Sequence, residues 1–489
     1  MKKIVSLILS FALLLTVFSA AFTVNASAAQ SSPEYDGYPV VLVRGMDFNG
    51  LYYKLGTDEE ERAFAGVDAG EVIGVLLRAL GAGVLNLSVD AGLDEVIAYV
   101  NSILGRMACD KNGLPAHDVS VREYPLSLAN YPELWDMGDF NEYGILKTAV
   151  EKFGAENVYY YNYDWRLDPL THADKINALV EQAKKDTGKD KVNIMCASMG
   201  GIMTESYIYK YGHASLNRVM FMSSTFCGTY VVSDLLNGRV NVDGYGLYRY
   251  ADKMLAADNV LLSGFFTLLN KAGFFGRLAD FANGLIPKLQ DKVFDDFLRD
   301  TFGTMPALWA LMLPEDYDGA VEYMFGGMEE EYSAIIELSK EYQKMTAARD
   351  DFLRAAEEDG VNILVIASYD TPCIPVYERA VENGDGTLES ALMLGMANVA
   401  PLGKTLGEGY TAENPARLSP DGVVDLSNAL FPETTWAVCG SPHVATSYGT
   451  DYSDFIFTLL TYNGRATVDT FEAYPQFMRS SSAQELTYF

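Results

Sequence analysis

The stretch Lys191-Val-Asn-Ile-Met-Cys196-Ala197-Ser198-Met199-Gly200-Gly201 carries the most chemistry in the chain. An apolar, β-rich run leads straight into a serine, and a helical pattern follows at once. This is the setting of a nucleophile held on a sharp strand-to-helix turn. Residues two before and two after the serine must then be small, because the backbone folds them together. Gly200 meets that demand. Cys196 stands where glycine is usual and Ala197 where histidine is frequent, yet both are small enough for the turn.

A serine nucleophile needs a base, and the chain has four histidines, His117, His172, His213 and His443. His213 should lie at the far end of the helix that follows Ser198, His172 opens what reads as a surface helix, and His117 falls inside a long excursion. His443 follows the last apolar run, Thr435-Trp-Ala-Val-Cys439. In a doubly wound sheet the carboxyl ends of the strands share one edge, so Ser198 and His443 are expected to meet there. Two carboxylates could orient the imidazole. Asp370 directly follows the run Val361–Ser368, and Asp421 sits in an Asp-Gly turn that feeds two valines. The oxyanion should be held by backbone N–H groups, that of Met199 next to the nucleophile and that of Met46 after the first strand. Arg44, where many hydrolases carry histidine, reads as one half of an ion pair.

The positioning elements are legible as short apolar runs without strict alternation, which suits strands buried on both faces of a parallel sheet. They are Pro39–Val43, Val158–Tyr163, Val192–Cys196, Val219–Ser223, Val361–Ser368 and Thr435–Cys439. Ile176, Leu179, Val180 and Ala183 mark a helix between the second and third, capped by Gly188. Residues 202–211 form another, closed by Gly212. The alternation predicts a doubly wound α/β sheet. Residues 57–140 and 229–360 are too long for loops and read as inserted, largely helical caps. The second contains Leu261, Leu262, Phe265, Phe266, Leu268, Leu269, Phe274, Phe275, Leu278 and Phe281. Their expected place is the cap core, with part of the run facing a greasy substrate or a lipid surface.

The chain has 489 residues, with 36 Lys and Arg against 66 Asp and Glu, for a net charge of −30. Such an acidic chain repels polyanions, so nucleic acid is not expected as a partner. Lys2 and Lys3, the apolar run from Ile4 to about Phe22, and Ala26-Ser27-Ala28 have the layout of a secretory signal peptide over residues 1–28. Secretion from a bacterium follows as the expectation, with residues 29–489 forming one hydrolase domain and a monomer expected. Of the five cysteines, 109, 196, 227, 373 and 439, none is assigned to a disulfide. No metal or cofactor is expected; Asp110-Lys-Asn112-Gly113 is only a fragment of a calcium-loop pattern.

Taken together, Pro39-Val-Val-Leu-Val-Arg-Gly45, Tyr163-Asp164-Trp165-Arg166-Leu167, the Ser198 turn, and Asp421-Gly-Val-Val424 followed by His443 resemble the lecithin:cholesterol acyltransferase family of secreted lipases and acyltransferases, within the α/β-hydrolase superfamily. Met305-Pro-Ala-Leu-Trp309-Ala-Leu-Met-Leu-Pro314 is similar to that family's cap. The resemblance implies an α/β-hydrolase fold with helical caps and a Ser198–His443–Asp421 triad, choosing Asp421 over Asp370. It further implies a serine ester hydrolase or acyltransferase that forms an acyl-enzyme from lipid or other apolar acyl esters. Trp165 is then either a wall of the acyl pocket or a packed aromatic beneath the cap, and Asp164 and Arg166 a structural ion pair. The altered residues beside Ser198 also admit a catalytically silent binding protein. Thioester or amide cleavage on the same scaffold is a third reading.

Overall fold

The computed structural model describes residues 37–64, 98–99, 101–135, 144–256, 259–284, 286–287, 294–443, 450–481 and 485–489. The expected signal peptide lies outside them. Eight strands form the central sheet: β1 (Val40–Val43), β2 (Val158–Tyr161), β3 (Val192–Ala197), β4 (Leu216–Met222), β5 (Asn362–Tyr369), β6 (Thr435–Cys439), β7 (Phe477–Ser480) and β8 (Leu486–Thr487). Their order across the sheet is β8-β7-β6-β5-β4-β3-β1-β2. All neighbours pair in parallel except β7 and β8. The chain is therefore an α/β protein built on a mostly parallel sheet.

Two apolar layers explain why the strand sequences do not alternate. Val41, Val43, Ile194, Cys196, Val219, Phe221, Ile363 and Val365 join one core. The residues between them, among them Val40, Leu42, Met195, Met220, Leu364 and Ile366, join the other. Each face is covered by helices. Helix α1 (Gly144–Phe153) lends Leu146, Ala149 and Phe153 to the second core. Helices α2 (Pro169–Thr187) and α3 (Gly200–Tyr211) cover the first through Ile176, Val180, Ile202 and Met203. Gly188 ends α2 at φ 70°, the left-handed conformation that favours glycine. Direction along the sheet reverses between β1 and β3, so a crevice opens at their carboxyl ends, the usual ligand site of such sheets.

The two long excursions differ. Between β1 and α1 the described residues include the short helical turns Gly105–Met107, Leu128–Asn130 and Pro132–Leu134. They also form a small three-stranded antiparallel sheet of Tyr52–Tyr53, Glu61–Arg62 and Val119–Ser120, and much of the stretch expected as a helical cap lies outside the described residues. Between β4 and β5 the chain is helical: α4 (Tyr230–Leu236), α5 (Gly244–Tyr250), α6 (Val260–Lys271), α7 (Phe274–Asn283) and α8 (Ser333–Glu358). The α8 helix rejoins the main core through Ile335, Tyr342, Met345 and Leu353. Helices α5 to α7 instead surround a small core of their own, with Val242, Leu247, Phe275 and Ala279 at its centre. Phe266, Leu269 and Leu278 pack against it, whereas Leu261, Phe265, Leu268 and Phe274 are exposed. The run is thus divided between cap core and exposed surface, because one helix can offer only one face to a core this small. After β6, helix α9 (Thr450–Thr461) packs back on the second layer. No helix among the described residues is long and apolar enough to cross a membrane.

Candidate active site

Ser198 follows β3 directly and has φ 52°, a left-handed conformation that a β-carbon disfavours. Such strain persists only where the surroundings over-determine it. Here Ser198 N–H donates to the Met222 carbonyl at 3.1 Å, and the Ser198 carbonyl accepts from Gly201 and Thr225 N–H, both at 3.0 Å. Glycine is needed where the turn is tightest. A Cβ at Gly200 would stand 2.5 Å from the Arg44 carbonyl oxygen and 2.6 Å from that of Val43, and one at Gly45 would stand 2.8 Å from the Ser198 Cβ. The loop after β1 and the turn after β3 are thus pressed together at the crevice. Cys196 fits without glycine. Its side chain is fully buried, its thiol reaches the Met220 carbonyl at 3.4 Å, and burial pushes that thiol up to about 12, so it is an inert filler.

His443 lies four residues past β6, and its Nδ1 is 2.7 Å from Oδ2 of Asp385. A second bond fixes the pair, since the His443 N–H donates to the Asp385 carbonyl at 2.7 Å. The other Asp385 oxygen, Oδ1, accepts from the N–H groups of Thr387 and Leu388 at 3.0 and 2.9 Å. The Asp385 side chain is fully buried. A carboxylate so placed can only accept, so Nδ1 carries the proton and the ring's basic lone pair sits on Nε2.

The structure thus brings Asp385 to the imidazole, and not Asp421, the carboxylate expected there. Asp421 Oδ2 accepts from the Tyr369 hydroxyl at 2.9 Å, and its Oδ1 accepts from Ser419 Oγ at 2.6 Å and Val423 N–H at 3.2 Å. Those bonds close its own turn and tie it to the end of β5; they do not reach the imidazole. Asp370 is also elsewhere, 3.6 Å from an Arg249 nitrogen of the cap. Sequence reasoning passes over Asp385, although an Asn383-Gly-Asp385-Gly386 turn beyond the fifth strand signals a loop carboxylate as clearly as Asp421-Gly422 does.

Met199 is the N-cap of α3, and the backbone around Met46 is held from two sides. The Arg44 carbonyl accepts from the Tyr163 hydroxyl at 3.0 Å and abuts Gly200. The Arg44 guanidinium pairs with Asp47 and donates to Asn162 Oδ1 at 2.5 Å. In the distinctive Tyr163–Leu167 segment, Arg166 is fully buried. Its Nε bonds Asp164 at 2.8 Å and its Nη1 bonds the Met107 carbonyl at 2.9 Å, which straps the first excursion to the sheet. Trp165 is buried against Phe48, ring centroids 4.9 Å apart. The other histidines take no part here. His213 pairs with Asp359 at 2.8 Å, and His117 is exposed. His172, expected at a surface, is buried, with Tyr161 and the Asp164 carbonyl at its two nitrogens. Among the described residues no cluster of three or more His, Cys, Asp or Glu could hold a metal ion. Asp110 Oδ1 instead accepts from Asn112 and Leu114 N–H at 2.8 and 3.0 Å, closing a tight turn.

No protein-family model matches the chain, and no curated protein does. Among solved structures, a chain of the Tle4–Tli4 complex is similar at 12% identity with a TM-score of 0.26, covering 68% of this chain and 74% of that one.

Proposed function

We propose that the chain is an α/β-hydrolase, a secreted serine ester hydrolase acting on lipid or other apolar acyl esters. Ser198 is the nucleophile, His443 the base and Asp385 the acid. The observation that carries this reading is the strained Ser198 at the strand-to-helix turn, on the same sheet edge as a half-buried His443 paired with the buried Asp385. Between the ends of β3 and β6 lie two strands, a gap of roughly 14 Å at normal strand spacing. Gly440 to His443 can span most of it at about 3.3 Å per residue, and the two side chains close the rest.

In the reaction, Nε2 of His443 takes the Ser198 proton as Oγ attacks the acyl carbonyl carbon. The carbonyl oxygen gains the negative charge, for which the N–H groups of Met46 and Met199 are the donors. His443 then gives its proton to the departing alcohol, leaving an acyl-enzyme. Water or another alcohol repeats the cycle and regenerates the serine hydroxyl. Asp385 holds the imidazole in the required tautomer and stabilises its cation. A fluorophosphonate probe with mass-spectrometric site mapping tests this directly. Modification at Ser198, lost in Ser198→Ala together with turnover of a nitrophenyl ester, is the expected result. A Ser198→Ala chain with full turnover would end the proposal.

A further inference from the structure

Among the described residues, the outer face of α6 is an apolar feature that the core leaves unused. Val260, Leu261, Phe265 and Leu268 are 83%, 88%, 52% and 65% exposed, and Phe274 at the start of α7 adds 46%. Leu261, Phe265 and Leu268 follow the i, i+4, i+7 rule, so they form one stripe. The opposite face, Phe266 and Leu269, is the one that meets the small cap core. A helix apolar on both faces is ordinarily buried on both.

Charge tells which partner suits the open face. Acidic residues outnumber basic ones almost two to one over the chain, yet between Asp258 and Asp280 there is no acid at all. Two cations, Lys271 and Arg277, stand in that interval, both exposed. Asp252 accepts from Ser263 Oγ at 2.5 Å, but Ser263 lies on the helix face away from Leu261, Phe265 and Leu268. An apolar stripe of Leu and Phe in a segment with cations and no acid of its own has the composition of a helix that lies in a lipid–water interface, its cations near headgroup phosphates. A second copy of the chain fits less well, because pairing would bring together two bodies of net charge −30. The cap that carries α6 also touches the candidate active site's edge. Arg249 of α5 lies 3.6 Å from Asp370, whose N–H donates to Asn383, two residues before Asp385.

We infer that α6 docks the protein on a zwitterionic lipid surface, Leu261, Phe265 and Leu268 entering the headgroup–acyl boundary. The inference rests on the proposed ester hydrolase only for what docking achieves, namely delivery of apolar esters to Ser198. Its test needs no catalysis. Phe265→Trp is placed in the full chain, and its emission, taken as the difference from the unsubstituted chain, is followed with vesicles of diether phosphatidylcholine, which has no ester to cleave. The expected result is a blue shift, with roughly twofold quenching when the lipid chains are brominated. Leu261→Gln, Phe265→Gln and Leu268→Gln together should lower turnover of a dispersed long-chain ester by about tenfold while sparing a soluble short-chain ester. Emission unchanged by vesicles, or a blue shift that follows protein concentration without lipid, would overturn the docking and in the second case point to self-association. Vesicle binding without any ester turnover would leave the docking intact and remove the proposed function instead.

Discussion

At the residue scale, the acid decides how the candidate site is read. Asp385 is fully buried and spends one oxygen on two N–H donors and the other on His443, whereas Asp421 spends both on its own turn and on Tyr369. Asp385→Asn would present an amide that can hold the imidazole in the wrong tautomer. Its kcat on a nitrophenyl ester should drop by roughly 10³- to 10⁴-fold with the fold intact. Asp421→Asn should keep most activity and lose about 1 kcal/mol of stability from its turn. The reverse ranking of the two rates would refute the assignment. Ser198 and His443 are both legible as residues, the serine from its small neighbours and the histidine from its place after the last long apolar run. The acid is not, because two Asp-Gly turns follow β5 and composition alone ranks neither. Only the path of the chain from Asn383 back to the sheet edge brings one of them under the imidazole.

At the element scale, six strands and two helices announce themselves, while β7 and β8 do not: Phe477–Ser480 has only its first two residues buried and Leu486–Thr487, at the sheet's edge, is two residues long, so neither reads as an apolar run. The junction of α2 with β2 misleads for a similar reason. His172 sits one turn into a helix that Asp168 caps and Pro169 opens, which looks like a surface start. Folded, its Nε2 donates to the Asp164 carbonyl at 2.9 Å and its Nδ1 accepts from the Tyr161 hydroxyl at 2.7 Å. Burial pushes this imidazole down to about 4; the bond to the Asp164 carbonyl and the Asp164 and Asp168 carboxylates oppose the shift, and Lys175 aids it. The folded state therefore favours the neutral ring, and between pH 6.5 and 4 the unfolded chain binds the extra proton. This contribution is full above about pH 6.5, falls by roughly 3 kcal/mol as pH drops to about 4, and is flat below that. Denaturant unfolding across this window should show the slope in the unsubstituted chain, and His172→Gln should flatten it. An equal slope in both chains would mean that His172 does not titrate with folding.

At the scale of the whole molecule, two opposing properties meet at the cap: a strongly acidic body and an apolar helix that carries none of the acid. Their balance is legible in composition. The exposed stripe is not, because a helix with leucine or phenylalanine at most positions has no evident outer face. Only the small core beneath α6, by claiming Phe266 and Leu269, leaves Leu261, Phe265 and Leu268 outside. The balance predicts how lipid charge and salt act together. On phosphatidylcholine the apolar term acts without long-range opposition, so binding should change little between low and high salt. On vesicles enriched in anionic lipid the net charge of −30 should repel the protein at low ionic strength, where screening reaches about 30 Å at 0.01 M. Raising the salt toward 1 M cuts that reach to about 3 Å, shorter than the body's distance from the surface, and leaves only Lys271 and Arg277 close enough to feel it. Affinity for anionic vesicles should therefore rise with salt and approach that for phosphatidylcholine. This is the opposite of what a basic peripheral protein does. Affinity that instead falls with salt on anionic vesicles would show that the two cations outweigh the body, and that the helix selects acidic rather than zwitterionic lipid.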